Sequence, residues 1–270
     1  MRRRFFVSAV PLFICAARPP MAGAADWWGS RLPNPPADFI FGYGSLIDTA
    51  SRDSTAGYAV TAIPARVSAA FGYIRAWNDR SPSGFTALGL RRPQPGESAS
   101  TINGVIFPAQ SDMTEYDSRE AGYVRIEVPL EDIEPVSWQP LPTHGHIWTY
   151  VPVRPGHLPG ENLPEPTPAF PMLQSYIDIV LQGALEYGSV FARELIETTA
   201  DWSRYWLNDR DLARRPWVHD PQYSAVDALL ASTPPAASVF SDRLFAEPFA
   251  ARWLMTGSPN SVEKGPAPPP

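Results

Sequence analysis

The sequence predicts an α+β fold: a small mixed β-barrel or strongly curved sheet, followed by a helical C-terminal half. Three observations point there. Short apolar, aromatic stretches alternate with turn signals through the first half of the chain. A long stretch of apolar residues at spacings of three and four opens the second half. Proline numbers 32 in 270 residues, well over twice the usual share of roughly 5%, which disfavours a helix bundle and suits sheets and loops.

Met1–Ala25 has the form of a signal peptide. Arg2, Arg3 and Arg4 form a basic start, Phe5 to Ala17 an apolar segment too short to remain as an anchor, and Ala22-Gly23-Ala24 a small-x-small cleavage pattern. The expected destination is therefore outside the cytoplasm, periplasmic or secreted, by the Sec or the twin-arginine route. A mis-assigned start on a cytoplasmic protein is the alternative. Residues 26–37 form a proline-rich lead-in.

Asp38 to Tyr43 is a buried strand entering a loop at Gly44-Ser45. Further strands are expected at Arg66–Trp77, Phe85–Leu90 and Ile102–Phe107, separated by turns at Asn78–Gly84 and Pro93–Gly96. Asp112–Glu120 has the pattern of a short helix, with Asp112 and Glu115 as a capping box and Gly122 just past its end. Tyr123–Val128 and His146–Val151 alternate again. After a proline-laden loop at Pro152–Pro171, apolar residues from Leu173 to Leu195 mark a helix broken near Gly188. Residues 201–256 form a helical extension packed on the same body, and 257–270 a disordered proline-rich tail.

Composition removes several chemistries. The only lysine is Lys264, in the tail, and the only cysteine is Cys15, in the export segment. Lysine-based phosphate binding, Schiff-base chemistry, thiol nucleophiles and disulfides are thereby excluded from the folded body. The formal charge of −6 argues against nucleic-acid and anionic-membrane partners. His144, His146 and His157 lack diagnostic metal-ligand spacing, so no metal is expected, and no cofactor.

Gly42-Tyr43-Gly44-Ser45-Leu46 is neither a nucleophile elbow nor a dinucleotide fingerprint, because Tyr43 and Ile47 stand where glycines are required. A strand ending in such a turn can aim backbone N–H groups at a carboxylate, although an ordinary strand-end turn is the plainer reading. Glu120 sits where a helix dipole presents negative charge, so its pKa should rise, as a general base requires. Tyr116 would share its face. Arg119 and Arg125 would oppose the shift, and a surface glutamate at a charged helix end is the plainer reading here too.

The two motifs in order carry a resemblance. Phe39-Ile40-Phe41-Gly42-Tyr43-Gly44-Ser45-Leu46 resembles the Tyr-Gly-Ser loop of the γ-glutamylcyclotransferase-like superfamily. Gly104-Val105-Ile106-Phe107 resembles its central strand, and Tyr116 to Arg125 the segment that delivers its catalytic glutamate. Phe71-Gly72-Tyr73-Ile74-Arg75 is similar to the glutathione-specific branch. The resemblance spans residues 38–200. It departs at Ile47-Asp48, where many members carry Asn-Leu, and near residues 80–86, where a histidine-arginine-glycine element is missing.

The resemblance implies a cofactor-free γ-glutamylcyclotransferase acting on a small γ-glutamyl peptide or amine. Glu120 would be the general acid/base, and Tyr43, Gly44, Ser45, Leu46, Arg75 and Tyr123 would bind substrate. The competing expectations are a non-catalytic γ-glutamyl-binding or interaction module on the same fold, and an amidase that uses water. Neither the leaving group nor the oligomeric state follows from the sequence.

Overall fold

The computed structural model describes residues 36–109, 113–120, 122–210 and 222–244. The export segment, most of the lead-in, the Asp112 cap and the C-terminal tail lie outside the described residues. Among the described residues no helix is long and apolar enough to cross a membrane.

Eleven strands and six helices alternate through the described residues. In chain order they are β1 (Asp38–Gly42), α1 (Thr49–Ala56), β2 (Ile63–Val67), β3 (Ile74–Ser81), β4 (Phe85–Arg91), β5 (Ile102–Pro108), α2 (Thr114–Arg119), β6 (Tyr123–Val128), β7 (Ile133–Pro135) and β8 (His146–Pro152). There follow β9 (Met172–Leu173), α3 (Gln174–Glu186), α4 (Ser189–Glu197), β10 (Thr199–Ala200), β11 (Trp206–Leu207), α5 (Tyr223–Ser232) and α6 (Ala237–Phe240). One sheet has the order β6-β8-β1-β5-β2-β7 and the other β10-β3-β4-β9-β11. Both mix parallel and antiparallel pairs: β1 runs antiparallel to β5 and parallel to β8, and β3 antiparallel to β4 and parallel to β10. The fold is α+β. Neither sheet closes on itself, so of the two expected shapes the closed barrel is absent.

The expected single strand at Arg66–Trp77 is two strands in different sheets. Ser68 accepts a hydrogen bond from Ala70 N, and Gly72 takes φ 78°, so Ala69–Phe71 turns the chain out of β2 and into β3. Left-handed backbone of that kind favours glycine. The expected turn at Asn78 also moves. Strand β3 runs on to Ser81, with a bulge at Asn78 that shifts register between Trp77 and Asp79. The helix break is at Gly188, with φ 102°, between α3 and α4.

The sheets meet where β4 lies beside β8, α4 packs against β5 of one sheet and α3 against β9 of the other, and the two helices pack on each other. Asn103 of β5 donates to Phe191 O of α4 at 2.8 Å. Arg210 ties the C-terminal helices to α3, bonding Asp178 at 2.6 Å and Asp227 at 3.1 Å. Trp202 meets Trp77 edge-to-face and Trp206 at a tilt, at centroid distances of 5.2 and 5.5 Å, making that aromatic stretch part of the core.

Candidate active site

Strand β1 is apolar and buried from Phe39 to Phe41 and ends at Gly42, where the chain doubles back. A Cβ on Gly42 would stand 2.9 Å from Leu46 Cβ, so the reversal needs glycine. Ser45–Ile47 then forms one turn of 3-10 helix, closed by Ile47 N donating to Gly44 O at 3.0 Å. The N–H groups that open this turn have no acceptor inside it.

Three contacts hold the turn. Buried Arg52 of α1 donates to Leu46 O at 3.1 Å and Ile47 O at 3.0 Å. Asp48 accepts from Ser51 N at 2.7 Å, capping α1. Helix α3 lies directly on the turn, because Gly183 has no side chain there: an added Cβ would come within 2.4 Å of Asp48 backbone.

Glu120 follows the last residue of α2. Its N–H donates to Tyr116 O at 2.9 Å, and its carbonyl accepts from Tyr123 N at 2.9 Å, so its position is set by main-chain bonds on both sides. The side chain is only 17% exposed. Burial pushes the carboxyl above its ordinary pKa, the nearby Arg119 pulls it back, and the Asp79 carboxylate raises it again; the net direction is up. Arg119 Nε lies 3.2 Å from Glu120 Oε1, and Arg119 Nη2 donates to Ser45 Oγ at 2.9 Å. Arg119 also donates to Ser51 O and Thr55 Oγ1 of α1. One cation thus joins the carboxyl, the Gly44 turn and α1.

The carboxyl and the turn line one cleft of about 360 Å³ of empty space, mouth included. Gly42 to Leu46 form one side, and Glu120 and Tyr123 another, while Leu88, Tyr150 and Tyr176 close it. The tyrosines are anchored from behind. Tyr43 Oη donates to Tyr150 O at 2.7 Å, Tyr150 Oη to Asp117 at 2.8 Å and Tyr123 Oη to Leu88 O at 3.2 Å. Burial raises all four phenols, Tyr176 to about 12, so they are neutral donors and acceptors around a carboxylate. Among the described residues no group of three or more His, Cys, Asp or Glu side chains is arranged to hold a metal ion.

Of the expected site residues, Glu120, Tyr43, Gly44, Ser45, Leu46 and Tyr123 line this cleft; Arg75 does not. Arg75 is fully buried, and its guanidinium is consumed by Asn103 O at 2.6 Å, Asn103 Oδ1 at 2.8 Å, Leu195 O at 3.0 Å and the Thr198 and Thr199 hydroxyls. Burial pulls it down to about 9, which leaves it charged at neutral pH. It supports the site from behind, reaching Tyr43 O at 3.4 Å. Tyr116 is buried in the core, its ring 5.9 Å from that of Phe107. Arg125 pairs with Asp117 at 3.1 Å, leaving Glu120 to Arg119. Tyr150, Tyr176 and Leu88 were not singled out by the sequence motifs. Only the α3 periodicity marked Tyr176, and it marked it as core.

No protein-family model matches the chain, and no curated protein matches it in sequence. Among solved structures the chain is similar to a gamma-glutamyl cyclotransferase, at 16% identity and a TM-score of 0.40, over 58% of this chain and 85% of the other. It is similar at 17% identity to an uncharacterized human protein, loc79017, with a TM-score of 0.41 over 61% and 90% of the two chains. A yeast gamma glutamyl cyclotransferase specific to glutathione aligns over 77% of this chain and 98% of its own, at 13% identity and a TM-score of 0.34.

Proposed function

We propose that this protein is a γ-glutamylcyclotransferase, with Glu120 as its general acid/base. The observation that carries the reading is a buried, basicity-raised carboxyl in the same cleft as the Gly44–Leu46 turn. The Tyr-Gly-Ser motif and the Glu120 segment that resemble the family's are the two elements that build that cleft.

In this mechanism the main-chain amides at Tyr43 to Leu46 hold the α-carboxylate of the γ-glutamyl group. The ionised Glu120 takes a proton from the substrate's α-ammonium, and the freed amine attacks the δ-carbonyl. A new carbon–nitrogen bond closes the five-membered ring as the amide bond to the leaving amine breaks. Two of the three ammonium protons are transferred to the leaving nitrogen, and one stays on the lactam nitrogen. The products are 5-oxoproline and a protonated amine, with no water consumed. The attacking group belongs to the substrate, so a folded body without cysteine or lysine suffices. Ring closure within one molecule supplies an intramolecular advantage of up to about 7–11 kcal/mol when the chain is well oriented.

The test is a product assay on a panel of γ-glutamyl amino acids, peptides and amines. Formation of 5-oxoproline supports the reading. Free glutamate instead identifies an amidase, and binding without product identifies a ligand-binding module. Export through residues 1–25 is part of the proposal, tested by the N-terminus of the protein recovered outside the cytoplasm.

A further inference from the structure

Helix α2 and its C-cap carry two acids one turn apart, Asp117 and Glu120, and the proposed function uses only the second. Asp117 reaches the cleft by way of Tyr150. The Tyr150 hydroxyl donates to Asp117 Oδ1 at 2.8 Å, and Tyr150 lines the same cleft as Glu120. The pairing of β6 with β8 sets Arg125 directly opposite Tyr150, so both side chains meet at this carboxylate. Arg125 Nη1 lies 3.2 and 3.1 Å from the two Asp117 oxygens, and its guanidinium carbon 5.2 Å from the centre of the Trp148 ring.

A phenol has one proton to donate and lone pairs that accept. The carboxylate takes that proton in a charge-assisted bond, stronger than one between neutral groups. Burial and the Asp117 carboxylate both raise the phenol above its ordinary pKa, so the hydroxyl keeps its proton and goes on giving it to Asp117. Toward the cleft the oxygen can then only accept. Glu120 acts electrostatically on this same hydroxyl. A carboxylate and a neutral acceptor in one cleft suit a group with a positive charge and several N–H donors. The fold has little need of the arrangement: the Asp117 and Arg125 side chains are 46% and 33% exposed, and ion pairs that open to solvent add little stability.

We propose that Asp117 is a positioning residue that acts through Tyr150: it takes the Tyr150 proton, so the Tyr150 oxygen accepts an N–H of the substrate's α-amino group and orients the nucleophile beside Glu120. Glu120 removes one proton from the ammonium, and Tyr150 holds a second N–H. The freed amine must then turn its lone pair from Glu120 to the δ-carbonyl, and a fixed N–H···O bond confines that turn to one axis. Tyr150 keeps its own proton throughout. The inference rests on the cyclotransferase reading for the identity of the substrate, and deepens it by naming what aligns the attacking group.

The experiment uses γ-glutamyl-alanine and glutaryl-alanine, the same compound without its amino group. Both are tested on the full-length protein and on its Asp117→Ala, Asp117→Asn, Tyr150→Phe and combined Asp117→Ala/Tyr150→Phe variants. The expected kcat/KM for γ-glutamyl-alanine falls at least about tenfold in Asp117→Ala, and less in Asp117→Asn, whose carbonyl still accepts from Tyr150. In the Tyr150→Phe background Asp117→Ala costs less than about twofold more, because its route to the substrate is gone. The inhibition constant of glutaryl-alanine stays within about twofold throughout, since that compound has no amino group to lose its partner. Equal weakening of both compounds marks a mere latch between α2 and β8 and overturns the proposal. So does wild-type kcat/KM in Asp117→Ala, or a full further loss in the Tyr150→Phe background. Where no compound yields 5-oxoproline, the proposed function falls and dissociation constants replace the kinetics. The same pattern across the variants then supports the contact with the amino group, whereas no binding, or equal loss for both compounds, overturns it.

Discussion

Arg119 Nε lies 3.2 Å from Glu120 Oε1, so the residue proposed as acid/base is paired with its own neighbour in the chain. The pairing offsets only part of the cost of burying the carboxyl, whose pKa remains above the ordinary value. The same guanidinium bonds Ser45 Oγ at 2.9 Å, which couples the Glu120 carboxyl to the Gly44–Leu46 turn. A base that must be ionised yet avid for a proton is served by this balance.

Removing that cation sets a clear direction. In Arg119→Met the lowering influence on Glu120 is lost while burial and Asp79 still raise it. The base must be ionised to act, so activity is lost as pH falls through its pKa. The acidic limb of the kcat/KM profile therefore moves to higher pH in the variant. A limb that stays in place or moves to lower pH contradicts the assignment.

Asp79 gives a stability prediction. Burial raises its carboxyl from 3.8 to about 6, so the folded protein holds that proton more tightly than the unfolded chain does. Its contribution to stability is complete below the unfolded value and is lost as pH rises through the folded one. Asp79→Asn removes that loss. Relative to wild type the variant gains about 1–3 kcal/mol between about pH 4 and neutral pH, read from denaturant midpoints. A pH-independent difference contradicts this.

Arg75 separates support from substrate contact. Arg75→Met leaves the Asn103, Leu195 and Thr199 groups without their buried donor and lowers stability by at least about 3 kcal/mol in equilibrium unfolding. A variant of unchanged stability with a raised KM returns Arg75 to the binding site.

Gly183 tests the packing of α3 on the turn. Gly183→Ala drives a methyl group against Asp48 backbone and costs about 1–3 kcal/mol, with a rise in KM as the turn shifts. Neutral stability in this variant contradicts the close approach.

The parts of the site that lie in local pattern were legible in the sequence. The Phe39–Leu46 run shows an apolar strand and the glycines that end it, and Glu120 stands out because a short helix stops there. The rest depends on distant pairing. Tyr150 and Tyr176 reach the cleft only because β8 pairs with β1 and α3 packs on the Ser45–Ile47 turn, which no local period encodes. Arg75 reads as a ligand-binding cation and nothing local marks Arg52, since only tertiary structure reveals the carbonyls that hold both inside. The Ala69–Phe71 turn was hidden by apolar residues on both sides, and the bulge at Asn78 imitated a turn.

The most direct measurement is the rate of 5-oxoproline formation from γ-glutamyl compounds by the wild-type protein and by Glu120→Gln, with folding and ligand binding checked in both. The expected result is product from the wild type and a fall in turnover of about 10²-fold or more in a variant that still folds and binds. Full turnover in the folded Glu120→Gln variant, or binding without product in the wild type, contradicts it.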